Sequence, residues 1–159
     1  MTPAIVAAER AKVAHRVLSY THDPAAPAYG PEAAAALGLD PSQVFKTLVV
    51  AVDGASRGGA LAVAIVPVSR QLDLKAMADA LDAKRVAMAD VALAEKTTGY
   101  VVGGISPLGQ RKPLRTVLDA SALAFAEIFV SAGRRGLEIA LAPSDLLRLT
   151  SGTSAPIAR

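Results

Sequence analysis

Lys46 is the residue whose setting most needs a chemical explanation. It stands in the run Val44-Phe45-Lys46-Thr47-Leu48-Val49-Val50, and strand alternation gives it the parity of Val44, Leu48, Val50 and Val52. A lysine near a strand's start can lay its methylene stem along apolar surface and reach water. It can equally be a cation in a cleft, where partial burial strengthens its pull on a phosphate, ribose or carbonyl oxygen and lowers its pKa. Glu138 raises a similar question in Leu137-Glu138-Ile139-Ala140-Leu141, where an acid interrupts an apolar strand. It fits the solvent face of an alternating strand, or an acid partner for a cleft lysine or an incoming amino group. The third constellation, Gly99-Tyr100-Val101-Val102-Gly103-Gly104-Ile105-Ser106-Pro107-Leu108-Gly109, has glycines spaced so that backbone N–H and C=O groups can approach a ligand closely. The same composition also serves a purely structural turn, and the loop lacks the lysine-serine ending of a phosphate-binding P-loop.

Other chemistries have little to work with. The chain has no cysteine, which removes disulfides, thiolate metal sites and a protein thiol nucleophile together. Its two histidines, His15 and His22, cannot complete a usual zinc site unless carboxylates join them, and no metal is expected. No Gly-x-Ser-x-Gly elbow is present, so a serine hydrolase has little support. Short basic clusters at Lys84-Arg85, Arg111-Lys112 with Arg115, and Arg134-Arg135 suit either solvated surface or a phosphate path.

The elements that must position these residues follow from caps, breakers and alternation. Thr2 with Pro3 opens a helix through about Lys12, and a strand follows over Arg16–Thr21. After a proline-containing connection, Pro31 leads an alanine-rich helix that Gly38 stops. Val44–Val52 and Ala60–Val68 read as a hairpin around Asp53-Gly54 and as the centre of the sheet. Asp73 caps a helix over Leu74–Leu81, a short strand covers Arg85–Met88, and Asp90 caps a helix up to Lys96. Strands are predicted at Thr116–Asp119, Glu127–Ser131 and Leu137–Leu141, with a short helix over Ser121–Ala126 and a last helix from Pro143. Residues 1–151 are expected to form one domain and 152–159 a loose end. Hairpin-like and crossover-like connections together argue for an α+β domain around a mixed, curved sheet flanked by helices.

With 159 residues, 52% of them hydrophobic, the chain can bury a core without metal or disulfide support. Only six residues are aromatic, so Val, Ile and Leu must fill that core and ring stacking cannot dominate recognition. No run approaches the length of a membrane-spanning helix, and Glu9 and Arg10 stand where a signal peptide would be apolar, so a soluble cytoplasmic protein is expected. A formal net charge of +3 attracts phosphates but is small for tight autonomous nucleic-acid binding, which favours a weak or assisted RNA contact.

The start Met1-Thr2-Pro3-Ala4, the Tyr20-Thr21-His22-Asp23-Pro24 turn, the Val44–Leu48 strand, Gln71-Leu72-Asp73-Leu74-Lys75, Thr98–Gly109 and Val130–Ile139 resemble, in order and spacing, the bacterial YbaK/EbsC family of Cys-tRNA(Pro) deacylases. The lysine strand and the Gly-Gly-Ile-Ser-Pro loop also resemble the editing domain inserted in bacterial prolyl-tRNA synthetases. The resemblance implies a pocket for the aminoacyl group at the tRNA 3′ end, with Lys46 catalytic at its mouth. Around the ester it places Gly103, Gly104, Ile105, Ser106 and Pro107. Tyr20, Thr47, Ser131, Gly133 and Glu138 are implied to line the pocket, although the last position is commonly Asp in close relatives. It further implies hydrolysis of mischarged Cys-tRNA(Pro) in which the substrate's own thiol attacks its ester, with no cofactor and with prolyl-tRNA synthetase as partner. A deacylase for Ala-tRNA or another small aminoacyl-tRNA, and a non-catalytic module binding aminoacyl-tRNA or a synthetase, are the competing readings.

Overall fold

The computed structural model describes residues 1–26, 29–53 and 60–159. In chain order the elements are α1 (Pro3–Arg10), β1 (His15–Ser19), α2 (Tyr29–Leu37), β2 (Phe45–Val52), β3 (Leu61–Pro67), α3 (Leu74–Ala80), β4 (Val86–Met88), α4 (Val91–Thr98), β5 (Arg115–Asp119), a 3-10 turn (Ala120–Ala124), β6 (Ile128–Arg134), β7 (Leu137–Leu141), α5 (Pro143–Thr150) and β8 (Thr153–Ala155). The expected caps are made. Thr2, Asp73 and Asp90 accept from the backbone N–H of Ile5, Ala76 and Leu93, so each helix starts where a short polar side chain satisfies an otherwise orphaned donor. Gly99 closes α4 with φ of 81°, a conformation that costs glycine nothing. The predicted helix over Ser121–Ala126 is the 3-10 turn instead, and the hairpin loop expected from Gly54 onward lies outside the described residues.

Where one curved sheet was expected there are two. One has the order β1-β7-β6, all antiparallel; the other, β4-β2-β3-β5-β8, is mixed, with β3-β5 and β5-β8 parallel. They meet at one seam, where Val44 bridges Phe129 and the Phe129 N–H donates to the Gln43 carbonyl at 3.1 Å. A single bridge there lets the sheets diverge, and the divergence opens space at the start of β2. Strand β3 is buried at every position, as a strand covered on both faces must be. One core cluster packs its Val63 and Ile65 with Phe45, Leu118, Ile139 and Leu146; a second packs Ala62, Ala64 and Val66 with Met77 and Ile157.

The expectation of a loose end at 152–159 does not hold. Strand β8 extends the sheet beside β5, and Ile157 is wholly buried. The cause is Asp119: its buried carboxylate accepts from the N–H of Ile157 and Ala158, both at 2.9 Å, and from Ser121. That single acceptor lies 38 and 39 residues upstream of the two donors, beyond the reach of local composition. No helix among the described residues is long and apolar enough to cross a membrane.

Candidate active site

Beside the seam lies a cavity of about 420 Å³. Strand β2 supplies Phe45, Lys46, Thr47, Leu48 and Val49 to its wall; β6 and β7 supply Ser131, Arg134 and Glu138; Tyr20 follows β1; Gly30, Pro31 and Ala33 come from α2. Met88, Ala89, Val91 and Ala94 close one side, and Val102, Gly103 and Ile105 come from the glycine loop.

Glu138 sits between Leu18 of β1 and Ser131 of β6 in the cross-strand register, which places an acid in the middle strand of a three-stranded sheet. It is 6% exposed, and its carboxyl makes no hydrogen bond or ion pair among the described residues. Burial alone raises its pKa to about 8, so at neutral pH the carboxyl is mostly protonated. Burial likewise raises the Tyr20 phenol above its usual range; a backbone hydrogen bond at Gly136 opposes this, and the charges of Glu138 and Glu32 add to it. Lys46 carries the opposite sign and responds in the opposite direction, its pKa lowered by burial. It too has no ion-pair or hydrogen-bond partner among the described residues, and the Thr47 hydroxyl is buried without one. Three polar side chains without a protein partner therefore line an aliphatic cavity, and for Thr47, whose hydroxyl is fully buried, the missing partner costs stability unless a ligand supplies it.

The β6 strand carries a bulge between Ser131 and Arg134, stabilised by the Gly133 N–H donating to the Ser131 hydroxyl at 3.1 Å. The bulge re-aims the strand, which brings Arg134 onto the cavity wall. The glycine loop is anchored from both ends. Glu95 of α4 accepts from the Val102 N–H at 2.8 Å, and the Tyr100 hydroxyl donates to the Leu108 carbonyl at 2.6 Å. Gly104 is held so close to β6 that a Cβ there would lie 2.6 Å from the Arg134 Cα.

Of the residues singled out in the sequence, Lys46, Tyr20, Thr47, Gly103, Ile105, Ser131 and Glu138 share the cavity wall. Gly104, Ser106, Pro107 and Gly133 do not. Ser106 is fully buried, its hydroxyl accepting from the Leu108 N–H, and Gly133 packs against the Tyr100 ring and Thr2. These residues shape the loop and bulge from behind. Sequence reading missed the α2 residues and Met88 and Val91, for which no local signal exists, and it noted Val102 only within the glycine loop and Arg134 only as one of a basic pair. No histidine lines the cavity. His22 is engaged elsewhere, its Nδ1 2.7 Å from Glu32 Oε1, and no group of three or more potential metal ligands occurs among the described residues.

Several known proteins are similar to this chain. A protein of Enterococcus faecalis (strain ATCC 700802 / V583), provisionally named Cys-tRNA(Pro)/Cys-tRNA(Cys) deacylase EbsC, is 42% identical over 124 residues, which is 78% of this chain and 73% of that protein. A crystal structure provisionally described as a trans-editing enzyme for prolyl-tRNA synthetase superposes with a TM-score of 0.77 at 26% identity, covering 91% of this chain and 87% of the other. The hypothetical protein APE2540 shares the fold with a TM-score of 0.85 at 22% identity over 99% of both chains. Residues 23–149 match the family model of the aminoacyl-tRNA editing domain, and the chain belongs to that family.

Proposed function

We propose that the protein is a trans-editing deacylase that hydrolyses the ester of mischarged Cys-tRNA(Pro) in the cavity beside β2. The observation that carries this reading is the pairing of three polar side chains without a protein partner, Lys46, Thr47 and Glu138, with aliphatic walls in which, among the described residues, no nucleophile and base stand in partnership. Such a site is built to hold and polarise an ester.

The attacking group is then the substrate's own thiol. Its sulfur adds to the ester carbonyl, the bond from that carbon to the ribose oxygen breaks, and the oxygen takes up the thiol proton. The resulting cyclic thioester is hydrolysed by water to free cysteine. Lys46 at the mouth orients the terminal adenosine through phosphate or ribose, and backbone groups at Gly103 and Ile105 hold the carbonyl. Gly104, Ser106, Pro107 and Gly133 keep that backbone in place, while Tyr20, Ser131 and Glu138 accommodate the amino end. With Glu138 neutral before binding, the positive charge of the arriving ammonium lowers the carboxyl's pKa, the proton leaves to solvent, and the ammonium acquires a charged partner only when seated. The reaction needs no cofactor. A net charge of +3 is modest for gripping tRNA, and the description of the 26%-identical structure supports prolyl-tRNA synthetase as the partner that selects the tRNA.

The test is release of labelled amino acid from Cys-tRNA(Pro), Ser-tRNA(Pro), Ala-tRNA(Pro) and Cys-tRNA(Cys), with and without prolyl-tRNA synthetase. The reading requires fast loss of cysteine and no loss of serine, whose hydroxyl is a far weaker nucleophile than a thiol. Preference for alanine would replace both the substrate and the thiol step. No release above the uncatalysed rate would make the chain a binding module.

A further inference from the structure

We propose that the aliphatic rim of the cavity is a seat for the adenine base of the tRNA's terminal nucleotide. Met88, Val91 and Val102 are 52, 56 and 37% exposed, yet each also lines the cavity. These side chains come from the end of β4, the first turn of α4 and the loop that follows α4. The patch is held in shape. The Ala89 N–H donates to the Val49 carbonyl at 3.0 Å, fixing Met88 beside β2, and Glu95, one turn beyond Val91, accepts from the Val102 N–H. An ordered, exposed aliphatic edge continuous with a ligand cavity marks a place that a ligand covers.

The inference rests on the deacylase reading, because that reading fixes what must lie there. With the aminoacyl ester inside and Lys46 at the mouth, the ribose stands at the opening and its base projects onto the adjoining rim. A base offers two flat apolar faces, which suit methyl and thioether groups as well as aromatic ones. The patch comprises a handful of side chains, the footprint of one ring and far below the roughly 800 Å² that each partner commits to a stable protein interface. None of these three side chains carries a hydrogen-bonding edge, so the contact grips the ring without reading its identity.

The test compares the 3′-O-cysteinyl ester of adenosine with the same ester of 1-deoxyribose, which lacks the base, using wild type and a Met88→Ser/Val91→Ser variant. Both side chains are exposed, so the variant keeps its core. In parallel, methyl NMR of the wild type is recorded with adenosine 5′-monophosphate and with ribose 5-phosphate. Expected are about tenfold lower kcat/KM for the base-free ester in wild type, loss of that preference in the variant, and shifts of the Met88, Val91 and Val102 methyls with the nucleotide only. Equal cleavage of the two esters by wild type, equal slowing of both in the variant, or unmoved methyls overturns the base seat. A variant defective only when prolyl-tRNA synthetase is present overturns it in favour of a protein contact. If wild type cleaves neither ester, the deacylase reading fails, and the methyl shifts alone decide the base seat.

Discussion

Replacing Glu138 by Gln should stabilise the folded protein at alkaline pH while impairing its activity. The carboxyl is buried between two strands without a hydrogen-bond partner, and burial moves its pKa from the usual 4.5 to about 8. Between those values the unfolded chain has released a proton that the folded protein still holds, so wild-type stability falls as pH rises through this window and levels off above about pH 8. At about 1.4 kcal/mol for each pH unit, the whole window is worth roughly 5 kcal/mol as a ceiling, which relaxation of the site lowers to several. Gln has nearly the same shape as the protonated acid and never charges. The two proteins should therefore differ by about 1 kcal/mol or less at pH 5, and the variant should gain steadily to about pH 8 and then hold that advantage; other titrating groups cancel in the difference. Urea unfolding of both proteins across pH 5–9 reads this directly. A stability difference that stays flat with pH would refute the assignment of a buried, neutral Glu138. The same variant should raise KM for aminoacyl-tRNA by about tenfold or more, because a neutral amide replaces a charged partner for the amino group.

Lys46→Met should abolish deacylation and leave the melting temperature unchanged or higher, since it removes a partly buried cation that lacks a partner among the described residues; differential scanning calorimetry beside the activity assay checks both. Gly104→Ala should cost about 1–3 kcal/mol and much of the activity, because its Cβ would press on the Arg134 backbone at 2.6 Å and displace the loop. Asp119→Ala should free the C-terminal segment by removing the acceptor for the Ile157 and Ala158 N–H groups. Its expected cost is about 2–5 kcal/mol, read by denaturant unfolding and by early proteolytic loss of residues 156–159.

Local signals carried the elements well, because Thr2, Asp73 and Asp90 act on backbone donors three residues away. They failed at 152–159, where small polar residues are ordered by a carboxylate supplied from β5. The break into two sheets was equally unreadable, since it depends on the lone bridge between Val44 and Phe129, which are distant in sequence. At the site, alternation correctly flagged Lys46 as a polar group among apolar neighbours. It could not decide Glu138, because pairing on both edges of β7 buries a position that alternation alone leaves open. The glycine loop was legible as a unit, yet of its residues Val102, Gly103 and Ile105 reach the cavity while Ser106 turns into the core. Met88, Val91 and the α2 residues arrive from segments with no chemistry of their own, which is why a cavity built at a seam between sheets is only half visible in sequence.

The most direct measurement of the central claim is single-turnover release of labelled cysteine from Cys-tRNA(Pro) by wild type and by Lys46→Ala, with the folded state of both verified by circular dichroism. The account predicts release far above the spontaneous rate for wild type and none above it for a folded Lys46→Ala protein. A fully active Lys46→Ala protein, or a folded wild type that releases nothing, would contradict it.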